Sequence, residues 1–474
     1  VEAAITLQML LSEQENAQDI LKPHVRQIIL DLLTIIRETE NDDLTTVMQK
    51  LVCVYKDEVT PLAVEITNHL AETFAQVISS DSESDDKAIS AMGILNTLDT
   101  IVTVMENEKE ILQHIEGIVL QVIGLILQHN VIDFYEEMLS LVYSLTCTQV
   151  TPKMWEAFHF LYDLFQKDNL DYFTDMMPAL HNYITVDPAA FLSNPRHMEI
   201  IYEMCKKVLT SDSGEDAECH AAKLLEVILL QFKGQVDSVV MTFVQLALER
   251  LTKEVRTSEL RTMCLQVVVA ALYYDPAGLL ESLEKMHMPN TNEAITGQFL
   301  KQWLHDTDCF LGLHDRKMCA LGLCTLMDTP PNRPAAVTAV APQLLPSLIM
   351  IFNGLEKAYQ FRANEEDSDD EEEEGEEVEE AELDDEEDDI DDEGREYLEK
   401  LDKSANGDLG DDDDDDDDDE FDEIEETALE SYETPLDKDE CPIDEYAVFK
   451  GLMQALEQRD PSWYQALVSN LNEQ

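Results

Sequence analysis

Two stretches decide the fold, DKAISAMGIL at 86–95 and DRKMCALGLC at 315–324. Each opens on an aspartate and a basic residue. Each then sets small residues one and two turns on, ending at Gly93 or Gly322. A looser copy, ELRTMCLQV, begins at Glu259. Small residues at helical spacing let stacked antiparallel helices approach closely. The 229-residue offset between the two copies is about five units of some 45 residues. Paired helices at that period indicate HEAT or armadillo repeats.

The surrounding chain agrees. Leu44, Val47, Met48, Leu51, Val52 and Tyr55 step by three and four, as do Leu62, Ile66, Leu70, Phe74 and Val77. That is the apolar stripe of an amphipathic helix, and no strand-like alternation is sustained. Thr60-Pro61, Thr151-Pro152, Asp187-Pro188, Asp275-Pro276 and Asp460-Pro461 read as a capping residue followed by proline at the first helical position. Pro61 to Pro152 is 91 residues and Pro188 to Pro276 is 88, each close to two repeats. Polar breaks fall at 38–41, 79–86, 211–216, 288–292 and 330–334. The expected fold is all-α: a right-handed superhelical HEAT-repeat solenoid over residues 1–362. An acidic disordered insertion follows at 363–426, then C-terminal helices at 427–474 packing on the last repeats. The chain opens at Val1 inside a helical pattern and is read as a fragment of a longer protein.

The 474 residues carry a formal net charge of −71. Residues 365–426 hold 41 acidic and 3 basic side chains, so the remainder is still at −33. Such a surface repels nucleic-acid phosphates and attracts basic proteins. Direct nucleic-acid binding is not expected. No apolar run approaches the roughly 18 residues of a membrane span. The nine cysteines form no CxxC pair and sit mostly in apolar helical patterns, as reduced buried thiols do.

No nucleotide-binding, zinc-protease or hydrolase motif occurs, so no enzyme and no cofactor are expected. The one metal-like series, His305, Cys309, His314, Cys319 and Cys324, steps by four or five within an apolar pattern. Zinc favours tighter pairs, so these read as core cysteines and boundary histidines. Trp155, Trp303 and Trp463 read as core.

Within the acidic tract, Asp411, Asp412, Asp413, Asp414, Asp415, Asp416, Asp417, Asp418 and Asp419 form an unbroken run. This run, with Glu420, Asp422 and the patch Glu371, Glu372, Glu373, Glu374, is a polyanion that can bind basic segments with salt-dependent affinity. Ser368 has acid at each of the next four positions, and Ser82 has Asp85 three on. Both are candidate sites for acidophilic kinases, the second weaker. After the run, Phe421, Ile424, Leu429 and Tyr432 are spaced for a helix over 421–432. That helix would dock on the last repeats and anchor the loop. Asp444 is placed to cap a further helix carrying Phe449, Leu452, Met453 and Leu456.

Longer stretches carry a resemblance. VRQIILDLLTIIRETENDDLTTVMQKLVCVYKDEVTPLA at 25–63, MGILNTL at 92–98, YFTDMMPALHNY at 172–183 and GEDAECHAAKLLEV at 214–227 are four of them. TSELRTMCLQ at 257–266, CFLGLHDRKMCALGLC at 309–324 and WYQAL at 463–467 complete the set. Together they are similar to the C-terminal half of the importin-beta (karyopherin-beta) nuclear transport receptors, in the importin seven/importin eight branch. The resemblance implies a Ran-GTP-regulated import receptor that shuttles between cytoplasm and nucleus. It implies basic cargo such as ribosomal proteins and histones, partnership with importin-beta and contact with phenylalanine-glycine nucleoporins. It also implies that the main Ran surface lies in N-terminal repeats absent here. The rival readings are a non-shuttling acidic chaperone and a pure scaffold solenoid.

Overall fold

The computed structural model describes residues 6, 9, 15–39, 43–79, 85–167, 170–211, 213–287, 293–373, 429–438 and 441–471. These are helical almost throughout, with one isolated antiparallel bridge, His287 to Ala294. The chain divides into two units, Val1–Asn364 with Glu425–Gln474, and Glu365–Ile424. All contacts below lie in the first.

The main helices are α1 (Val25–Thr39), α2 (Asp43–Val54), α3 (Ala63–Ser79), α4 (Asp85–Val104), α5 (Lys109–His129), α6 (Tyr135–Thr146), α7 (Pro152–Gln166), α8 (Phe173–Thr185) and α9 (Pro195–Thr210). There follow α10 (Glu215–Gln231), α11 (Asp237–Leu251), α12 (Ser258–Tyr274), α13 (Pro276–Lys285), α14 (Ile295–His305), α15 (Leu313–Met327), α16 (Ala341–Glu373), α17 (Glu445–Arg459) and α18 (Pro461–Val468). One row packs in the order α2, α4, α6, α8, α10, α12, α15, α17. Alternate helices such as α3, α5, α9 and α11 pack against its side. From α2 to α15 the row's helices start at residues 43, 85, 135, 173, 215, 258 and 313. The steps are 42, 50, 38, 42, 43 and 55 residues, as in a stacked helix-pair repeat. The last step is long because both α13 and α14 intervene.

The glycine markers have the role their spacing suggests. A Cβ on Gly93 would lie 2.4 Å from Thr45 Oγ1, and one on Gly322 would lie 2.4 Å from Val269 Cγ1. Thus α4 crosses α2, and α15 crosses α12, at a distance only glycine allows. Thr151, Asp187, Asp275 and Asp460 cap their helices, accepting from the backbone N–H of Met154, Ala190, Gly278 and Trp463. Thr60 does not. Val59 before it is already helical, so the chain bends through a short 3-10 turn and the Thr60 hydroxyl donates back to the Lys56 carbonyl.

A second correction concerns α5, which is long and apolar enough to cross a membrane. Its apolar positions Leu112, Ile115, Val119, Val122 and Ile126 are buried, and it packs on α3 and α6. It is a core helix of the ladder.

Candidate functional site

The helices at the centre of the row pose a problem that leads to the site. A surface helix should show one polar face, yet α10 is buried from Ala217 to Leu230 while carrying Glu218, His220, Lys223 and Glu226. Lys223 is 1% exposed and Glu226 is fully buried. Charges are buried only when partners compensate them. Two sets of partners do so here.

Glu218 takes a two-pronged bond from Arg250 of α11, with Nε to Oε1 at 2.9 Å and Nη2 to Oε2 at 2.8 Å. This fork joins neighbouring helices. Lys223 and Glu226 pair with each other at 3.2 Å, and Glu226 Oε1 also accepts from Gln266 Nε2 of α12 and from His314 Nε2 of α15, each at 2.9 Å. The other nitrogen of His314, Nδ1, meets Asp437 Oδ1 at 2.7 Å. Gln266 Nε2 reaches Asp315 Oδ1 as well, at 2.8 Å.

Asp437 belongs to neither row. It sits in Leu429–Lys438, a turn-rich segment that returns over α8, α10 and α15 after the acidic tract. Its carboxylate also holds its own loop, with Oδ2 accepting from the Thr434 N–H at 2.7 Å and the Thr434 hydroxyl at 2.9 Å. His181 Nε2 of α8 donates to the Glu433 carbonyl at 2.8 Å, and Lys317 Nζ of α15 donates to the Leu436 carbonyl at 2.6 Å. The Tyr432 ring lies between His181 and His220, with centroids 5.6 and 5.8 Å away. Leu429, Thr434 and Leu436 are buried. The Glu430 carboxylate takes the space a Cβ on Gly312 would fill.

The electrostatics follow from this geometry. A carboxylate on each ring nitrogen requires both to carry a proton, so His314 is an imidazolium. Burial and the nearby Lys223 charge pull its pKa down, but Glu226 and Asp437 raise it to about 10. Burial pushes Glu226 up, yet Lys223 and His314 bring it down to about 2. Asp437 is likewise held well below the usual carboxylate range by His314 and Lys223 against its burial. Burial lowers His181, which donates from Nε2 as a neutral ring.

The C-terminal helices close the same side. Asp444 caps α17, accepting from Ala447 N, and Leu456 is fully buried. Trp463 Nε1 donates to the Met327 carbonyl at 2.9 Å, and the Arg333 guanidinium covers its ring at 4.1 Å. Arg333 also pairs with Asp460 at 2.9 Å.

Of the residues singled out in the sequence, the structure brings Leu429 and Tyr432 onto the row. They lie in a turn, where a helix was expected. The Leu429 carbonyl accepts from the Tyr432 N–H, and just beyond it the Glu433 and Leu436 carbonyls accept from His181 and Lys317 while the Thr434–Asp437 bonds fix a loop. Phe421, Ile424, Glu374, Asp411–Asp419, Glu420, Asp422 and Ser82 lie outside the described residues. Ser368 and Glu371, Glu372 and Glu373 fall on the last turns of α16. His314, which reads as a boundary histidine in the sequence, is the hub of the buried cluster. Trp303 donates Nε1 to Cys319 Sγ at 3.3 Å in the core. Among the described residues, no group of three or more His, Cys, Asp and Glu side chains is arranged to hold a metal ion.

The described residues form a helical row with alternate helices packed on its side and Leu429–Lys438 laid across it, the arrangement of a stacked helix-pair repeat domain. A family model described as "Importin-11-like, TPR repeats" matches residues 92–406, and the chain belongs to that importin family. It is 52% identical to human Importin-8 and 51% identical to Importin-8 of Danio rerio, over its full length in each case. It covers 45% and 47% of those proteins. A more distant relative, the importin beta-like SAD2 homolog of Arabidopsis thaliana, is 26% identical over 66% of this chain and 31% of its own length. The chain therefore spans less than half the length of the curated relatives it matches.

Proposed function

We propose that this chain is part of a nuclear import receptor that carries basic protein cargo, such as ribosomal proteins and histones, through the nuclear pore under Ran-GTP control. The action is binding and release, not catalysis. In this reading the ladder is a right-handed HEAT solenoid. Steps averaging near 45 residues suit HEAT repeats better than the roughly 34 of a tetratricopeptide repeat. Cargo lysines and arginines meet Asp411–Asp419, Glu420, Asp422 and Glu371–Glu374. Phosphorylation of Ser368, and more weakly of Ser82, would add about 1.5 to 2 negative charges each. Phenylalanine-glycine nucleoporins, importin-beta and Ran-GTP are the remaining partners, with Ran contacts mainly in repeats outside this chain. The protein then works in both cytoplasm and nucleus.

The observation that supports this reading best is that the segment following the acidic run is fixed to the row. Asp419 is only ten positions before Leu429 in the chain. So short a tether to a fixed point holds whatever binds the run near the row at high local concentration. The test is capture of histone H1 by the full chain and by a variant with residues 365–426 replaced by Gly/Ser of equal length. Loss of affinity is expected; unchanged affinity overturns the assignment of the tract to cargo.

A further inference from the structure

In an array of repeats each unit packs only on its neighbours, so stability is a sum of local terms and distant repeats open independently. Here α8 packs on α10, α10 on α12 and α12 on α15, so α8 and α15 stand two helices apart in the row. Leu429–Lys438 departs from that rule. It takes a bond from His181 on α8 at Glu433, and bonds from Lys317 and His314 on α15 at Leu436 and Asp437, three and four residues on. Between those ends, Tyr432 lies on His220 of α10, and His314 carries the contact on to Glu226. Glu226 in turn holds Gln266 of α12.

We infer that Leu429–Lys438 is a staple that makes the α8–α15 stretch of the ladder open as one unit, although its ends are separated by two helices. Three features carry the inference. The staple contacts fall on three row helices, α8 at His181, α10 at His220 and α15 at His314 and Lys317. His314 has a carboxylate on each ring nitrogen only when the staple is in place: Glu226 stays on Nε2, and removing the staple removes Asp437 from Nδ1. The staple itself is short, with Leu429, Thr434 and Leu436 as its buried side chains. It can therefore leave without unfolding the helices beneath it, which keep their own hydrophobic contacts. Departure would leave the imidazolium of His314 short of one carboxylate and free the carbonyl partners of His181 and Lys317. The two ends of the stretch would loosen together. The staple is also the direct continuation of the acidic tract in the chain, so it joins the tract to the stiffness of the row.

The test is hydrogen–deuterium exchange by mass spectrometry on the full chain, comparing wild type with Asp437→Asn, which keeps size and removes the charge. Expected is faster exchange in 429–438 together with 173–185 and 313–327, with 63–79 in α3 unchanged. Faster exchange in 429–438 alone would overturn the inference, as would uniform acceleration along the chain. Should the variant fail to fold, wild type in rising sub-denaturing urea decides. The segments 429–438, 173–185 and 313–327 should share one opening free energy and one urea dependence; separate values contradict a shared unit.

Discussion

His314 and Asp437 are 123 residues apart in the chain and 2.7 Å apart in space, with the whole acidic tract between them. The pair fixes the far end of the tract to the helix row, and its second ring nitrogen ties that end to Glu226 in the interior.

Removing one partner of a buried pair strands the other. Asp437→Ala leaves the buried His314 imidazolium with a single hydrogen-bonded carboxylate, Glu226, at a cost of about 3 kcal/mol or more. His314→Gln should cost a similar amount, and the double variant should cost clearly less than the sum. Urea unfolding followed by tryptophan fluorescence measures this. Additive losses would mean the two side chains act separately.

The pH dependence of His314 has the sign of a histidine that gains acidic partners. Its folded pKa is raised, from 6.5 to about 10, so its contribution is complete below pH 6.5 and declines as pH rises toward 10. Glu226 is lowered from 4.5 to about 2 and Asp437 is lowered from 3.8, so theirs are complete above about pH 4.5 and fail on acidification. The cluster should hold best between about pH 4.5 and 6.5. Exchange at 429–438, corrected for the intrinsic rate, should accelerate from pH 7 to 9 and not from pH 7 to 6. Loosening between pH 7 and 6 would show a neutral His314.

Close approach predicts the cost of a methyl group. Gly322→Ala would press on Val269 and on the Trp303 ring at 3.2 Å, both core groups, whereas Gly93→Ala meets only Thr45. Overpacking typically costs about 1–3 kcal/mol, so Gly322→Ala should lower the melting midpoint more than Gly93→Ala. Equal midpoints would contradict the packing at the α12–α15 crossing.

Trp463 holds α18 through an indole bond, a stacked Arg333 and full burial. Trp463→Ala should cost about 3–5 kcal/mol locally. Limited proteolysis should then cut first within 461–471, with the α2–α8 region intact. Protection equal to wild type there would show that α18 is held by other contacts.

The repeat was legible because its determinants are local. Helix starts at Thr151, Asp187, Asp275 and Asp460 follow from a capping oxygen three residues before the N–H it accepts from. Gly93 and Gly322 follow from a small-residue stripe. Thr60 misled because its helical state is set by the preceding turn. The charge cluster was not legible, since the partners of His314 lie 88 and 123 residues away. A signal did exist. Lys223 and Glu226 stand three apart in AAKLLEVILL, on a helix whose other positions there are apolar. Such a pair has to meet charges from elsewhere. The turn at Leu429–Tyr432 was hidden for the same reason: the Tyr432 ring is held between His181 of α8 and His220 of α10, and the carbonyls just after it, at Glu433 and Leu436, are bonded by α8 and α15.

The most direct measurement is the salt dependence of binding between histone H1 and the full chain, before and after replacing Asp411–Asp419 with Gly/Ser. A polyanion that displaces counterions gives an affinity falling linearly in the logarithm of salt. The account predicts weaker binding and a shallower slope for the replaced chain. Identical affinity and slope in the two chains would contradict it.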